Sequence, residues 1–264
     1  MLNKSSIIEE IKLDGEKITE PQRIANTFNE FFSTIGNKIA EKLIPTNKIP
    51  EDFLIDDFPN NFFISPTTPE EVIKYAQKLK IKYSCDHTGI SSALLKKFIH
   101  TVAIPFSHIV NTSFFEGVFP SQNKIAKVCP IFKSGDKTST NNYRPISLLP
   151  IFSKIIEKLM ADRIADFLMH FNVLFKHQYG FRKSFSTIHP IIHFLNHIAE
   201  AINKKEFTIA IFVDLTKAFD TVNHTILFKK LEYYGIRGTA LNWFKSYLSG
   251  RQQCVAIGNA LSSY

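Results

Sequence analysis

The amino-acid sequence predicts an α+β fold, and three observations predict it. Apolar residues recur at helical spacing through the first part of the chain. Short runs rich in β-forming residues begin near Lys127. Between and after those runs the helical spacing returns. The chain has 264 residues, 44% of them hydrophobic. That is enough to bury a substantial core in about one or two domains.

In the first part, Ile24, Phe28, Phe31, Phe32, Ile35, Ile39 and Leu43 fall on one helical face, and Pro45 ends the helix. Residues 52–66 are acidic, aromatic and proline-bearing, and read as a connector. Thr68-Pro69-Glu70-Glu71 is a helix start. Thr68 can cap, Pro69 suits the first turn, and Glu71 completes a capping box. Val72, Ala76 and Leu79 follow on one face. Ser91 or Ser92 opens another helix through Phe98. Residues 105–116 form a further helix, stopped by Gly117. This first part reads as packing and scaffold.

The second part opens on a short strand, residues 128–132, and a charged turn, Lys133-Ser134-Gly135-Asp136-Lys137. Residues 153–171 form a long amphipathic helix on Ile155, Ile156, Leu159, Ile164, Phe167 and Leu168. Thr187 caps another helix, with Pro190 near its first turn. Residues 207–213 are a continuous apolar run, read as a buried strand that ends at Asp214. Asn223 caps a helix carrying Leu227, Phe228 and Leu231, and Thr239 caps one ending near Gly250. Residues 252–257 read as a strand, and Gly258-Asn259 as its turn. There is no internal repeat.

With 32 basic and 24 acidic residues the net charge is +8, which favours polyanionic partners: nucleic acid or an acidic membrane surface. Cys85, Cys129 and Cys254 are far apart and form no Cys-x-x-Cys pair, so neither a zinc ribbon nor a disulfide framework is readable. Residues 1–10 lack the apolar core of a signal peptide, and no uncharged run reaches the length of a membrane span. The expectation is an intracellular protein of nucleus or cytoplasm, with no membrane partner.

The sharpest chemical feature is Phe212-Val213-Asp214-Leu215-Thr216-Lys217-Ala218-Phe219-Asp220. A strand that ends in a carboxylate can hold a hard divalent cation beside a phosphate. Two such ions, about 4 Å apart, can activate a hydroxyl and stabilise a leaving pyrophosphate. On spacing alone, an Asp214 that merely ends a strand and caps a turn is the slightly plainer reading. His189, His193 and His197, four apart on one helix face, are a second candidate. Such a pair can bind zinc, but no Glu stands beside the first His and no Cys is near, so packing histidines are the plainer reading.

Three blocks in order carry a family resemblance. The first is Val128-Cys129-Pro130-Ile131-Phe132-Lys133-Ser134-Gly135-Asp136, leading into Asn142-Tyr143-Arg144-Pro145-Ile146-Ser147-Leu148-Leu149. The second is Gln178-Tyr179-Gly180-Phe181-Arg182, and the third is the Asp214 block. Together they resemble the reverse transcriptases of non-LTR retrotransposons, LINE-like and jockey-related. Phe28-Asn29-Glu30-Phe31-Phe32, Ser153-Lys154-Ile155-Ile156-Glu157-Lys158, Tyr234-Gly235-Ile236 and Trp243-Phe244-Lys245-Ser246-Tyr247-Leu248 also look like the family.

The resemblance implies a helical N-terminal extension (1–110), then a partial reverse transcriptase domain (111–264) of fingers and an incomplete palm. It implies an RNA-directed DNA polymerase that uses Mg²⁺, an RNA template, a DNA primer and deoxynucleoside triphosphates. Asp214 would be the first metal-binding carboxylate, and the Leu215 carbonyl would help hold the ion. Phe219 would be a steric gate under the incoming sugar; a core Phe is the rival reading. Arg182, with Lys133 as a weaker candidate, would hold the triphosphate. Arg144, Gln178 and Tyr179 would meet the template. The family continues with a Gly-Pro-Gln-Gly-type turn and a Tyr-x-Asp-Asp hairpin, whereas this chain stops at Ser262-Ser263-Tyr264, and Asp56-Asp57 stands out of order. The expectation is therefore a fragment that is inactive alone. The alternatives are a non-catalytic nucleic-acid-binding remnant and a structural helical module.

Overall fold

The computed structural model describes residues 8–42, 49, 52, 58–215 and 217–264, so Leu43, Pro45, Asp56, Asp57 and Thr216 lie outside the described residues. Helix and sheet are mixed, as an α+β chain requires. Two compact units divide the chain: Met1–Met160 with Phe219–Tyr264, and Ala161–Ala218.

The larger unit begins with a hairpin that apolar periodicity does not reveal: β1 (Ile11–Leu13) and β2 (Glu16–Ile18). Its turn is Asp14-Gly15, both at positive φ, 49° and 86°. That pair is the usual two-residue hairpin turn, and it was the available signal. Ile11 pairs with Ile18, and both are buried.

Helix α1 (Pro21–Ala40) follows, with proline in its first turn. Its Ile24, Ala25 and Phe28 face a four-stranded sheet of order β4-β3-β5-β6. The strands are β3 (Ile125–Phe132), β4 (Tyr143–Leu148), β5 (Gln252–Ile257) and β6 (Ala260–Leu261). Strand β3 pairs antiparallel with β4 and parallel with β5, while β5 and β6 form a hairpin. Val128, Tyr143, Val255 and Ile257 close the core with α1, and the Phe28 ring meets Tyr143 edge-on at 5.0 Å.

Side-chain amides of α1 also satisfy backbone groups at the end of the sheet. Gln22 donates to the Leu261 carbonyl at 2.6 Å and Asn29 to that of Ser263 at 2.9 Å. The Ser263 N–H donates to Asn26 at 3.3 Å. Edge groups left bare would template further pairing. At Gly36 an added Cβ would lie 2.2 Å from the Asp220 carbonyl oxygen, so the close approach requires glycine.

Helix α2 (Pro69–Lys78) starts as predicted, with the Thr68 hydroxyl accepting from the Glu71 N–H at 3.2 Å. Helix α3 (Ser92–Glu116) replaces the two predicted segments with one, capped by Ser91 and running through Pro105. An interior proline costs about 3 kcal/mol. The continuous stripe of Leu95, Ile99, Ala103, Phe106 and Val110, all buried, offsets that cost. Helix α4 (Ile151–His170) has a remote cap: buried Asp86 accepts from the Ile151 N–H at 3.1 Å, while its other oxygen accepts from Thr88.

Helix α5 (Ile188–Asn203) belongs to the smaller unit. Thr187 there has helical dihedrals and makes no capping bond, contrary to expectation; Ser186 N–H bonds instead to His189 Nδ1 at 3.0 Å. Asn223 caps α6 (His224–Tyr233) as predicted. Helix α7 (Gly238–Leu248) has Arg237 at its N-cap position, two residues before Thr239, so Thr239 lies inside it. Arg237 does different work: its guanidinium donates to the Phe58 carbonyl, Asn61 and the Glu232 carbonyl, tying the connector to the α6–α7 turn. On α7, Trp243 is fully buried against Phe114, Phe119 and Tyr247, and its indole N–H donates to Ser113 at 3.0 Å. No helix among the described residues is long and apolar enough to cross a membrane.

Two stability measurements follow. Gly36→Ala should lower unfolding free energy by about 1–3 kcal/mol through overpacking, read by urea denaturation. Asp86→Ala should cost about 1–2 kcal/mol through loss of the α4 cap, in the same assay.

Candidate functional site

The antiparallel β3–β4 pair has one covered face and one open face. Phe132 and Tyr143 pair on the covered side, with rings 5.5 Å apart. Ile131 pairs with Arg144 and Cys129 with Ile146 on the other side, where Ile131, Arg144 and Ile146 are exposed. Lys133 follows Phe132 directly and is exposed, so Lys133 and Arg144 come from one hairpin.

The loop between them is stiffly built. The Lys133 N–H donates to the Asn142 carbonyl at 2.8 Å, and Asn142 Nδ2 donates to the Asp136 carbonyl at 2.9 Å. The Tyr143 hydroxyl donates to the Lys137 carbonyl at 2.7 Å. The Asp136 carboxylate accepts from the backbone and hydroxyl of Thr138, and those bonds hold it below the usual carboxylate range. Gly135 has φ +90°, and its missing Cβ leaves room for the Asn142 amide.

In the smaller unit, Arg182 lies over the Phe185 ring at 4.6 Å. Its Nη1 donates to the Gln178 carbonyl at 3.2 Å, while its Nε finds no acceptor among the described residues. Arg182 and Gln178 are thus brought together, with the guanidinium turned partly onto its own loop. Gln178 is exposed and its amide donates to the Gly180 carbonyl at 3.3 Å. Tyr179 is half-buried beside Phe185, His189 and His193. Phe181 holds φ +60°, a strained conformation for a bulky residue.

The expected strand at 207–213 is absent: the stretch has no strand pairing among the described residues, and Phe212 and Val213 are exposed. An apolar run needs a hydrogen-bonded neighbour and a cover to become a buried strand, and neither is supplied to it here. Asp214 and Leu215 are exposed at the end of this extended backbone. Phe219 belongs to the larger unit and is 80% exposed, which removes its reading as a core Phe.

No group of three His, Cys, Asp or Glu side chains converges as a metal site among the described residues. One exposed carboxylate and a carbonyl do not by themselves make a Mg²⁺ site. His193 is in ring contact with His177 at 4.6 Å and with His197 at 5.3 Å, so these histidines pack with one another.

One partly buried polar cluster joins residues far apart in the chain. Glu157 on α4 accepts from Ser153 at 2.7 Å and bonds the Tyr247 hydroxyl. Burial raises the Glu157 carboxyl above its usual range, and burial with the neighbouring Glu157 pushes Tyr247 up to about 12. Ser153 and Glu157 lie four apart, but their partner Tyr247 lies 90 positions away, out of reach of any local pattern.

Residues 132–263, half of the chain, match the family described as reverse transcriptase (RNA-dependent DNA polymerase). The chain belongs to the reverse transcriptase family. Among similar proteins is a probable RNA-directed DNA polymerase from transposon BS of Drosophila melanogaster, 34% identical over 206 residues, covering 75% of this chain and 22% of that protein. A probable RNA-directed DNA polymerase from transposon X-element of the same fly is 30% identical, covering 76% and 22%. The RNA-directed DNA polymerase from its mobile element jockey is 29% identical, covering 74% and 22%. The matched part therefore spans 22% of the length of these curated relatives. Reverse transcriptases generally use divalent metal ions.

Glu157 gives a pH test. Below the ordinary glutamate value of 4.5 both folded and unfolded chains hold the proton. As pH rises, the unfolded chain ionises first, so stability falls through the raised folded value. Glu157→Gln should flatten that fall and leave stability near pH 4 almost unchanged, read by chemical denaturation across a pH series.

Proposed function

We propose that this chain is the fingers and first part of the palm of a retrotransposon RNA-directed DNA polymerase. Residues 1–110 would be its helical N-terminal extension and residues 111–264 its polymerase part. The observation that carries the reading is the ordered set of three motifs, beginning at Val128, along a family match over 132–263. The open β3–β4 face with Lys133 and Arg144 supports it, because exposed cations on a rigid hairpin suit phosphate.

In this reading an RNA template and DNA primer pass over that face. Arg144, Gln178 and Tyr179 meet the template, and Arg182 and Lys133 bind the triphosphate of the incoming deoxynucleotide. Phe219 bars a ribose 2′-hydroxyl. Asp214, with the Leu215 carbonyl, contributes the first Mg²⁺ ligands. The described residues do not complete that metal site. A second reading, a nucleic-acid-binding chain without catalysis, is favoured by the open cationic face of β3–β4, which can meet phosphate without a metal ion.

Primer extension and binding separate the readings. On poly(rA)/oligo(dT) with Mg²⁺ the 264-residue chain should give no incorporation, yet bind RNA with an affinity that falls as salt rises. Robust incorporation, abolished by Asp214→Asn, would show the chain to be a polymerase in its own right. Absence of salt-dependent binding would defeat both nucleic-acid readings.

A further inference from the structure

A cleft of about 550 Å³ lies between α1 and the start of β5, wholly within the larger unit. Its size falls within the ~300–1,000 Å³ of ligand sites. Its walls carry hydroxyls and amides: Ser33 and Asn37 from α1, Ser147 from β4, Gln252 and Gln253 from β5. Asp220 lines the α1 wall beside Gly36, and Arg251 enters with β5.

Two cations meet where β3 and β5 begin: Lys124 and Arg251 directly precede Ile125 and Gln252, which are register partners in the parallel β3–β5 pair. The Arg251 guanidinium packs over the Tyr247 ring at 4.9 Å and donates to the Tyr247 carbonyl at 3.1 Å. Lys124 reaches the hydroxyl of the adjacent Ser246, Nζ to Oγ 3.5 Å. Burial and the nearby Arg251 charge hold the Lys124 ammonium below the usual lysine range. Among the described residues neither cation has a carboxylate within ion-pairing distance. The nearby acid, Glu157, is bonded to Ser153 and the Tyr247 hydroxyl rather than to either cation.

Two half-buried positive groups held side by side without an anionic partner repel each other, and a phosphate between them reverses the sign of that energy. We propose that this cleft is a subsite for one nucleotide unit of a nucleic-acid strand. Its phosphodiester is held by Arg251 and Lys124, and its sugar or base edge by Gln252, Asn37 and Ser147. The proposal rests on the nucleic-acid reading above. It adds a binding position whose two cations, Lys124 and Arg251, stand outside the three motif blocks, on the side of the sheet covered by α1.

The test is fluorescence anisotropy of a labelled 20-nucleotide oligo(rU) across a salt series, with the whole chain. For a single strand, removing one cation that neutralises a phosphate should reduce the slope of log affinity against log salt by about 0.7. Lys124→Gln should reduce it by that amount, and Lys124→Gln with Arg251→Gln by about twice as much, with affinity at least about fivefold weaker. Lys124 makes one hydrogen bond, to Ser246, so the single variant carries the test even if loss of Arg251 unsettles Tyr247. Lys74→Gln with Lys97→Gln, both exposed on α2 and α3, removes the same net charge and should leave the slope near its original value. Equal losses in both double variants would overturn the subsite and leave nucleic-acid binding standing. Displacement of the oligonucleotide by dTTP at equal phosphate concentration would reassign the cleft to a free nucleotide and overturn the strand proposal. No binding by the unaltered chain would defeat the nucleic-acid reading itself, and the subsite with it.

Discussion

The packing of α1 across the sheet, centred on Phe28 against Tyr143, holds the larger unit together. Phe28, Ile24 and Ala25 bury one face of β3, β4 and β5, and the β1–β2 hairpin adds Ile11 and Ile18 to the same core. Burying a side chain of that size is worth roughly 1.5–3 kcal/mol. The N-terminal helix is therefore part of the sheet's interior, far from it in sequence. Its amides then fix the edge strand β6 and the backbone of Ser263.

That one-sided cover decides what the opposite face can do. Antiparallel strands alternate their side chains, so sinking Tyr143 and Val128 under α1 turns Ile131, Arg144 and Ile146 outward. The open face is cationic and apolar together. The second anchor, Trp243 with Phe114, Phe119 and Tyr247, holds α7 on α3 and so sets the entry of β5. Half-buried Glu157 is bonded to Tyr247, which ties α4 to the same point.

Much of this was legible in the residues. Thr68, Ser91 and Asn223 cap helices where local chemistry said they would. The strand at 252–257 and the charged turn at 133–137 also stand where expected. The errors share a cause: each treated a local preference as final. Pro105 does not break α3, because a long buried stripe outweighs one missing bond. Residues 207–213 have the composition of a buried strand, yet a strand exists only with a partner to bond.

The order of residues along the chain is enough to assign the family, because motif order and residue chemistry survive without coordinates: Arg144 beside Tyr143, Gln178 to Arg182, and Asp214 after an apolar run. It also determined the helix starts, which depend on bonds spanning three or four residues. The folded chain alone fixes which groups meet across long separations: Phe28 with Tyr143, Asp86 with Ile151, Glu157 with Tyr247, and Lys124 near Arg251. Local pattern is set by the chain's own geometry, whereas those meetings are set by which apolar faces can exclude water together, and no short window of residues contains that information.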